Sequence, residues 1–375
     1  MTKISAQIVA DSINEFGNRI TTMQVTFPRF ILAELNTHRM LSKNSASSRA
    51  IPFEKMCKSV EDNPFIPIAW QKDHKGMQGT EYFEDDAPYN GYSGNGMTNT
   101  EGFRMTWLSA RDNAVKIAKA LSYDGLTKQL CNRLLEPFMY HTVLITATEW
   151  ENFFALRCSK YSTEKGVEFR SKKDYCKHYK TSLDFIDEDK MFWFNNNKGQ
   201  AEIHMMALAE AMWDAKNEST PKELKAGEWH IPFGDNIDID KLSDIEANNP
   251  KGKIAYEDTE WNSLMNNYKV KIATAMCARV SYIVVGEESK EPNYENDIKL
   301  HDRLAESGHM SPFEHCAQAM SKYEYTTHLN GVVEITHLES DYEDLIDCDK
   351  ISGWSGNFRG FLQYRKLLPN ENITL

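Results

Sequence analysis

The chain has 375 residues, 41% of them hydrophobic, which supplies a sizeable packed core and exceeds what one minimal domain needs. A formal charge of −12 argues against general binding of a nucleic-acid backbone, which requires a basic face, so any nucleotide ligand is expected to be small. The opening MTKISAQIVADS has no apolar signal core, and no run approaches the ~18 apolar residues of a membrane helix, so a soluble cytoplasmic protein is expected. Seven cysteines at 57, 131, 158, 176, 277, 316 and 348 form no CxxC pair and fit a reducing compartment better than a disulfide framework.

In chain order, Met23, Val25 and Phe27 alternate with Thr22, Gln24 and Thr26, which predicts a half-buried strand closed by Pro28. FILAELNTHRML from Phe30 carries Ile31, Leu35 and His38 at helical steps and leads into the polar run SKNSASSR, placing charged groups at a helix end. Residues 72–102 are rich in Gly, Asn and Asp and predict a long surface excursion. A helix is expected over about 104–122, with Leu108, Val115, Ala118 and Leu121 on one face, and another from near Ala201 through Met205, Leu208, Ala209, Met212 and Trp213. The Lys-rich stretch 159–199 reads as inserted, 216–260 as loop-rich, and 287–296 as a polar connector before a helix carrying HDRLAESGH.

Chemistry-bearing residues concentrate in four segments. Residues 38–49 crowd His38, Arg39 and Arg49 with Ser42, Asn44, Ser45, Ser47 and Ser48. Guanidinium groups with hydroxyls and backbone N–H groups make an anion cradle, while a Ser-capped turn with solvated arginines fits the same residues, and spacing leaves both open. Asn132-Arg133-Leu134-Leu135-Glu136-Pro137 sets a cation beside a carboxylate, the pattern of a surface ion pair near a helix end. In the third segment, Thr148 to Arg157, apolar and aromatic residues surround Asn152, and a buried Arg157 needs an anionic or carbonyl partner, either a ligand or a carboxylate such as Glu151 or Glu202. The fourth pairs Ala278-Arg279-Val280-Ser281-Tyr282 with His309-Met310-Ser311-Pro312-Phe313-Glu314-His315; with neither HExxH nor a closed Cys/His set, a metal is the weaker reading.

Together these segments resemble the flavin-dependent thymidylate synthases. The family's Arg-His-Arg-x2-Ser-x-Asn-Glu-x-Ser-x-Arg-Tyr is matched at His38, Arg39, Ser42, Asn44, Ser47 and Arg49, with Thr37, Ser45 and Ala50 standing where the family has Arg, Glu and Tyr. Arg133 and Pro137 resemble its Arg-x3-Pro element, and Asn152 and Arg157 resemble the segment with a flavin-contacting Asn and an Arg beside uracil. Gln200 to Ile203 fits the family's Ala-Gln-x-Glu-Ile loosely, without a safe counterpart for the preceding His. The Ala278 and His309 boxes also match, but follow the first motif instead of preceding it, the order of a circular permutation.

The resemblance implies an α+β fold with a mixed or antiparallel sheet core and packed helices. It implies a single permuted catalytic core over 1–375, with insertions at about 60–102, 159–200 and 216–260. It further implies transfer of a one-carbon unit from methylenetetrahydrofolate to C5 of dUMP, giving dTMP, with FAD as cofactor, NADPH as reductant, and a homo-oligomer, most simply a tetramer. His38, Arg39, Asn44, Asn152, Ser281, His309 and Ser311 would bind flavin. Glu34, Ser47, Ser48, Arg49, Arg133 and Arg157 would bind substrate, Arg157 as the catalytic group at the pyrimidine edge. Hydroxymethylation, a cytosine substrate, or a non-catalytic nucleotide-binding scaffold are the alternatives. The Arg- and aromatic-rich Asn357 to Lys366 has no assignment.

Overall fold

In the computed structural model, the described residues are 4–45, 47, 49, 51–76, 79–91, 96–158, 160–162, 166–188, 193, 201–247, 258–280, 293–321, 332–335, 344–347, 357–368 and 371. β1 (Ser5–Asn14) and β2 (Arg19–Pro28) form an antiparallel hairpin. Its turn passes through Gly17 at φ +80°, a left-handed conformation that glycine adopts without steric cost. The predicted strand is thus longer at its start than its alternating core. β1 has no comparable alternation, because several of its residues are half-buried on both faces.

The helical spacing after Pro28 is realised only briefly, as a 3-10 turn at Arg29–Ile31 and a single α-turn at Leu32–Leu35. The Thr37 hydroxyl and backbone N–H both donate to the Glu34 carbonyl, closing the turn. The polar run that follows does not sit at the end of a long helix. Its first four residues form β3 (Ser42–Ser45), which pairs antiparallel with β4 (Tyr140–Ala147). β7 (Lys222–Leu224) joins β1 in parallel, giving a mixed five-stranded sheet of order β3-β4-β2-β1-β7. With helices on both faces the fold is α+β.

The two-residue period of the strands sorts the sheet into two faces. On one, Met23, Val25, Phe27, Val143 and Ile145 pack against helix Glu151–Arg157 and against Met205, Leu208, Ala209 and Met212 of helix Ile203–Glu218. The latter helix has the spacing read from sequence, and Glu202 caps it by accepting from the His204 and Met205 N–H groups. On the other face, Leu144 meets Cys277 and Val280 at the end of helix Asp258–Arg279. A second core lies beyond that helix, around Ile272, Ala273, Phe313 and Cys316. A three-stranded sheet of order β12-β9-β8 completes this side, from β8 (Trp229–His230), β9 (Ala317–Ala319) and β12 (Phe361–Gln363). Between the sheets runs a buried chain of hydrogen bonds, Ser12–His230–Thr22–Thr146–His315, each 2.8–2.9 Å.

The segments read as insertions differ among themselves. Among the described residues of 71–98 there are only isolated bridges, Gln71 with Tyr82 and Pro88 with Thr98, before a capping box of Thr98 and Glu101 starts helix Asn99–Tyr123 earlier than its apolar stripe suggests. In 159–200, β5 (Tyr161–Ser162), β6 (Glu168–Phe169) and helices Lys172–Tyr179 and Leu183–Glu188 surround a small core of Phe169, Cys176, Ile186 and Trp193. The stretch 216–260 is woven into the core, since it supplies β7 and β8. β10 (Val332–Ile335) and β11 (Asp344–Asp347) form an antiparallel pair. Helix Tyr294–Glu306 follows the polar connector. Among the described residues, no helix is long and apolar enough to cross a membrane, and six cysteines are buried free thiols.

Candidate functional site

Helix Glu151–Arg157 projects two side-chain pairs at i, i+4, Asn152 with Leu156 and Phe153 with Arg157, toward the turn that joins Leu35 to β3. Together they line a concave pocket of about 160 Å³ whose other walls are Thr37, His38, Arg39, Met40, Leu41 and Glu149. Four residues singled out from sequence, His38, Arg39, Asn152 and Arg157, therefore meet in one cavity across more than a hundred residues of chain.

Arg157 is fixed on two sides. Its Nε donates to His38 Nε2 at 2.9 Å, and its Nη1 is ion-paired and hydrogen-bonded to Glu34. The carboxylate partner is thus Glu34, not Glu151 or Glu202. Glu151 accepts instead from the Trp150 N–H, and Glu202 caps its own helix. The Nη2 of Arg157 has no partner among the described residues. Because His38 accepts from a guanidinium, its ring must be neutral at Nε2. Burial, followed by the charges of Arg157 and Lys43, pushes its pKa down to about 4. The ring is also held edge-on to Phe153, with centroids 5.0 Å apart. Burial raises the Glu34 pKa, against the pull of Arg157 and with a smaller push from Glu202.

β3 runs from this pocket along the sheet edge. Lys43 donates from Nζ to the His38 carbonyl at 2.5 Å, and burial lowers its pKa to about 8 against the attraction of Glu314. Two residues on and on the same face, Ser45 meets His141 Nε2 at 2.8 Å. The opposite face is tied to the rest of the molecule. Ser42 accepts from Asn357 Nδ2 and Gln363 Nε2. Asn44 donates to the Cys277 carbonyl at 2.6 Å and accepts from the Ser311 hydroxyl at 3.3 Å, while Ser311 also lies 3.1 Å from the Lys43 carbonyl. The 309–315 box and the end of helix Asp258–Arg279 therefore converge on the 38–49 segment.

Other expected site residues lie apart from the pocket. His309 is exposed, with its ring against the Ser307 hydroxyl at 2.9 Å. Arg133 is 55% exposed and sits 3.6 Å from Glu136. Ser47 is half-buried and Arg49 exposed where the chain leaves β3. Ser48 and Ser281 lie outside the described residues. Among the described residues, no group of three or more His, Cys, Asp or Glu could hold a metal ion.

Several residues at or near the site carried no sequence signal strong enough to single them out. Glu149 lines the pocket and pairs with Arg359 at 3.4 Å, which brings the unassigned C-terminal segment to the site's edge. That segment is structural over much of its length: Phe358 and Phe361 are fully buried, β12 pairs with β9, and Arg365 pairs with Glu314. Lys43, which donates to the His38 carbonyl, likewise carries no motif signal of its own. The alternation of 43 with 45 was the one available clue, hidden by the low strand propensity of SKNS.

A scan of protein-family models gives no match to this sequence, and a search of curated proteins gives none. Among solved structures, the chain is similar to a UMP/dUMP methylase PolB from Streptomyces cacaoi bound with 5-Br UMP, at TM-score 0.33 and 14% identity, covering 57% of this chain and 89% of that one. The same protein bound with 5-Br dUMP matches at TM-score 0.33 and 12% identity, covering 57% of this chain and 90% of that one.

Proposed function

We propose that this chain binds a pyrimidine deoxynucleotide at the Arg157–His38 pocket and transfers a one-carbon unit from methylenetetrahydrofolate to C5, with dUMP to dTMP the leading reaction, FAD the cofactor and NADPH the reductant. The observation that carries this reading is the assembly of His38, Arg39, Asn152 and Arg157, from two distant segments, into one pocket. A preorganised guanidinium at the pyrimidine edge stabilises charge that builds on the ring as C5 becomes nucleophilic. Glu34 and the neutral His38 supply that preorganisation by holding Nη1 and Nε and leaving Nη2 for the ring. No covalent protein nucleophile is required, which agrees with the buried thiols; burial raises the pKa of Cys57, Cys158, Cys277 and Cys316.

The donor set suits a phosphorylated heteroaromatic ring: Arg39 is exposed at the pocket wall and Asn152 offers an amide. The cavity is nevertheless smaller than the ~300–1,000 Å³ of a typical ligand pocket, so one chain encloses a base ring and not a whole flavin dinucleotide. In this reading Arg39, Asn152 and His38 would hold part of the flavin, and a second copy in a homotetramer would supply the rest of its site. When bound, the flavin supplies the hydride chemistry and the folate the methylene.

The test is titration of the purified protein with FAD, followed by incubation with FAD, methylenetetrahydrofolate, NADPH and either dUMP or dCMP and mass spectrometry of the nucleotide. Saturable flavin binding and a methylated dUMP product are expected. No binding up to millimolar FAD overturns the reading and leaves a nucleotide-binding scaffold, while a hydroxymethyl or cytosine-derived product replaces the reaction named above.

A further inference from the structure

We propose that Arg170, in the 159–200 insertion, is a positioning residue for Arg157: it clamps the end of helix Glu151–Arg157 and so fixes the base from which Arg157 reaches Glu34 and His38. The effect on turnover rests on the function proposed above; the effect on the Arg157–His38 contact does not.

That helix is short, and its own sequence does little to close it. Seven residues fall below the ~12–15 that an isolated helix needs. The last carbonyls of any helix have no intrahelical partner, and the sequence that follows, Cys158-Ser159-Lys160, offers no glycine for the usual left-handed cap. Arg157 is the basic residue of the last turn, but its guanidinium is turned back to Glu34 and His38. The insertion supplies the closing donor. Arg170 Nη1 donates to the Phe154 carbonyl at 2.9 Å and also to the Cys158 carbonyl. In return the buried Cys158 thiol donates to the Arg170 carbonyl at 3.4 Å. A cation on these carbonyls also meets the negative end of the helix dipole.

The clamp is itself anchored. Arg170 Cζ lies 5.2 Å from the ring centroid of Trp213, which also meets Phe154 edge-on at 5.2 Å and donates from Nε1 to Asp174 Oδ2 at 3.0 Å. One indole of helix Ile203–Glu218 thus joins the insertion to the helix that carries Arg157. Two further contacts dock the insertion on the same helix: the Lys172 N–H donates to Glu210 Oε1 at 2.8 Å, and Lys173 pairs with Glu218 at 2.7 Å. Cys158 adjoins Arg157 in the chain, so a shift of its carbonyl passes directly to the Arg157 backbone. The Arg157 guanidinium meets two acceptors at once, His38 Nε2 at 2.9 Å and Glu34, and such a fork tolerates little displacement.

The test compares full-length wild type, Arg170→Gln, Arg170→Lys and Lys173→Ala by NMR titration of the His38 imidazole, thermal melting and steady-state kinetics with dUMP. Burial, then Arg157 and Lys43, hold the His38 pKa down, so a displaced Arg157 should let it rise in Arg170→Gln. The same displacement should lower kcat roughly 10- to 100-fold, with the KM for dUMP within about twofold of wild type. Arg170→Lys keeps a charge at the helix end and should recover part of both effects; it is also the comparator if Arg170→Gln does not fold. Lys173→Ala loosens the insertion without touching the clamp and should leave both readouts unchanged. A folded Arg170→Gln protein whose Tm falls while His38 titration and kcat stay at wild type overturns the proposal, as does an equal change in Lys173→Ala. A wild type without turnover refutes the proposed function, and the His38 titration then decides the clamp by itself. A raised His38 pKa with unchanged kcat in an active enzyme upholds the clamp and refutes the catalytic role of Arg157.

Discussion

Replacing Arg157 by alanine separates catalysis from structure because its two anchors are known. The substitution removes the Glu34 ion pair and the hydrogen bond to His38, both at side chains with limited exposure, 20% for Arg157 and 26% for Glu34. A pair of that intermediate burial lies between surface pairs at about 0–1 kcal/mol and buried ones at about 3–5 kcal/mol, so a loss of about 1–2 kcal/mol is expected. In a chain of this size that lowers the Tm by only a few degrees. The Glu34 pKa should rise further, since burial and Glu202 then act without Arg157, and the His38 pKa should rise with its nearest opposing charge removed.

Catalysis should respond far more strongly. If Arg157 meets charge that develops only on the way to the transition state, its loss costs ~10²–10³ in kcat with little change in dUMP affinity. Arg157→Lys should rescue poorly, because an ammonium cannot hold Glu34 and His38 and still address the ring. Glu34→Gln keeps the guanidinium but loosens it, and should lie between wild type and Arg157→Ala in kcat. The assays are steady-state kinetics with dUMP, equilibrium dUMP binding and thermal melting on the same preparations. A folded Arg157→Ala protein with a lowered Tm and wild-type kcat refutes the catalytic assignment and leaves Arg157 as a structural ion pair.

Three further outcomes follow from the same structure. If Arg133, which is exposed, holds the nucleotide phosphate in ground state and transition state alike, Arg133→Ala should raise the KM for dUMP with kcat nearly unchanged; a fall in kcat alone contradicts that role. Stability should fall on acidification below about pH 6.5, because His38 is depressed to about 4 and His141, His230 and His315 to about 3, so the unfolded chain binds more protons in that window; Asp214, raised to about 6, opposes the trend, as do Glu34 and Asp297, which burial also raises, and a Tm unchanged between pH 7.5 and 5 contradicts it. Gly360→Ala should destabilise by about 1–3 kcal/mol in denaturant melts, since φ is +74° and a Cβ would lie 2.5 Å from Asn14 Nδ2 and 2.6 Å from Asn18 Oδ1, whereas Gly17→Ala at φ +80° meets open space and should cost less.

What sequence could reveal depended on whether one local pattern decided the outcome. The 203–218 helix and the centre of β2 were legible because their burial periods of 3.6 and 2 are clean. β1 was not, because both its faces are partly covered. β3 lies in a polar run that the sequence places at a helix end, with no strand signal because Lys and Asn are weak strand formers; tertiary pairing with β4 and side-chain partners on Ser42 and Asn44 override that preference. At the site, motif resemblance brought out His38, Arg39, Asn152 and Arg157, yet it could not say which carboxylate holds Arg157. Glu34 lies 123 residues away in the chain, and only the fold makes it nearer than Glu151. Arg170 belongs to no recognisable motif, and its place at the end of the Arg157 helix shows only once the insertion is folded onto helix Ile203–Glu218.

β3 explains why a short polar stretch can serve both structure and ligand. An edge strand leaves one row of backbone groups without a neighbouring strand, and here the Ser311 hydroxyl meets the Lys43 carbonyl where that partner would be. Because the side-chain period is two, Ser42 and Asn44 face inward, where Asn357, Gln363, Ser311 and the Cys277 carbonyl fix them. The alternate residues Lys43 and Ser45 are left on the opposite face, where Lys43 donates to the His38 carbonyl beside the Arg157 pocket and Ser45 meets His141. The two sets are separated by one residue of register, so a slip of one would turn the anchoring groups away from their partners and bury Lys43. The four inward hydrogen bonds thus set the register on which the outward groups depend, and the segments that make them, 309–315, 357–363 and the end of helix Asp258–Arg279, act on the site without lining it.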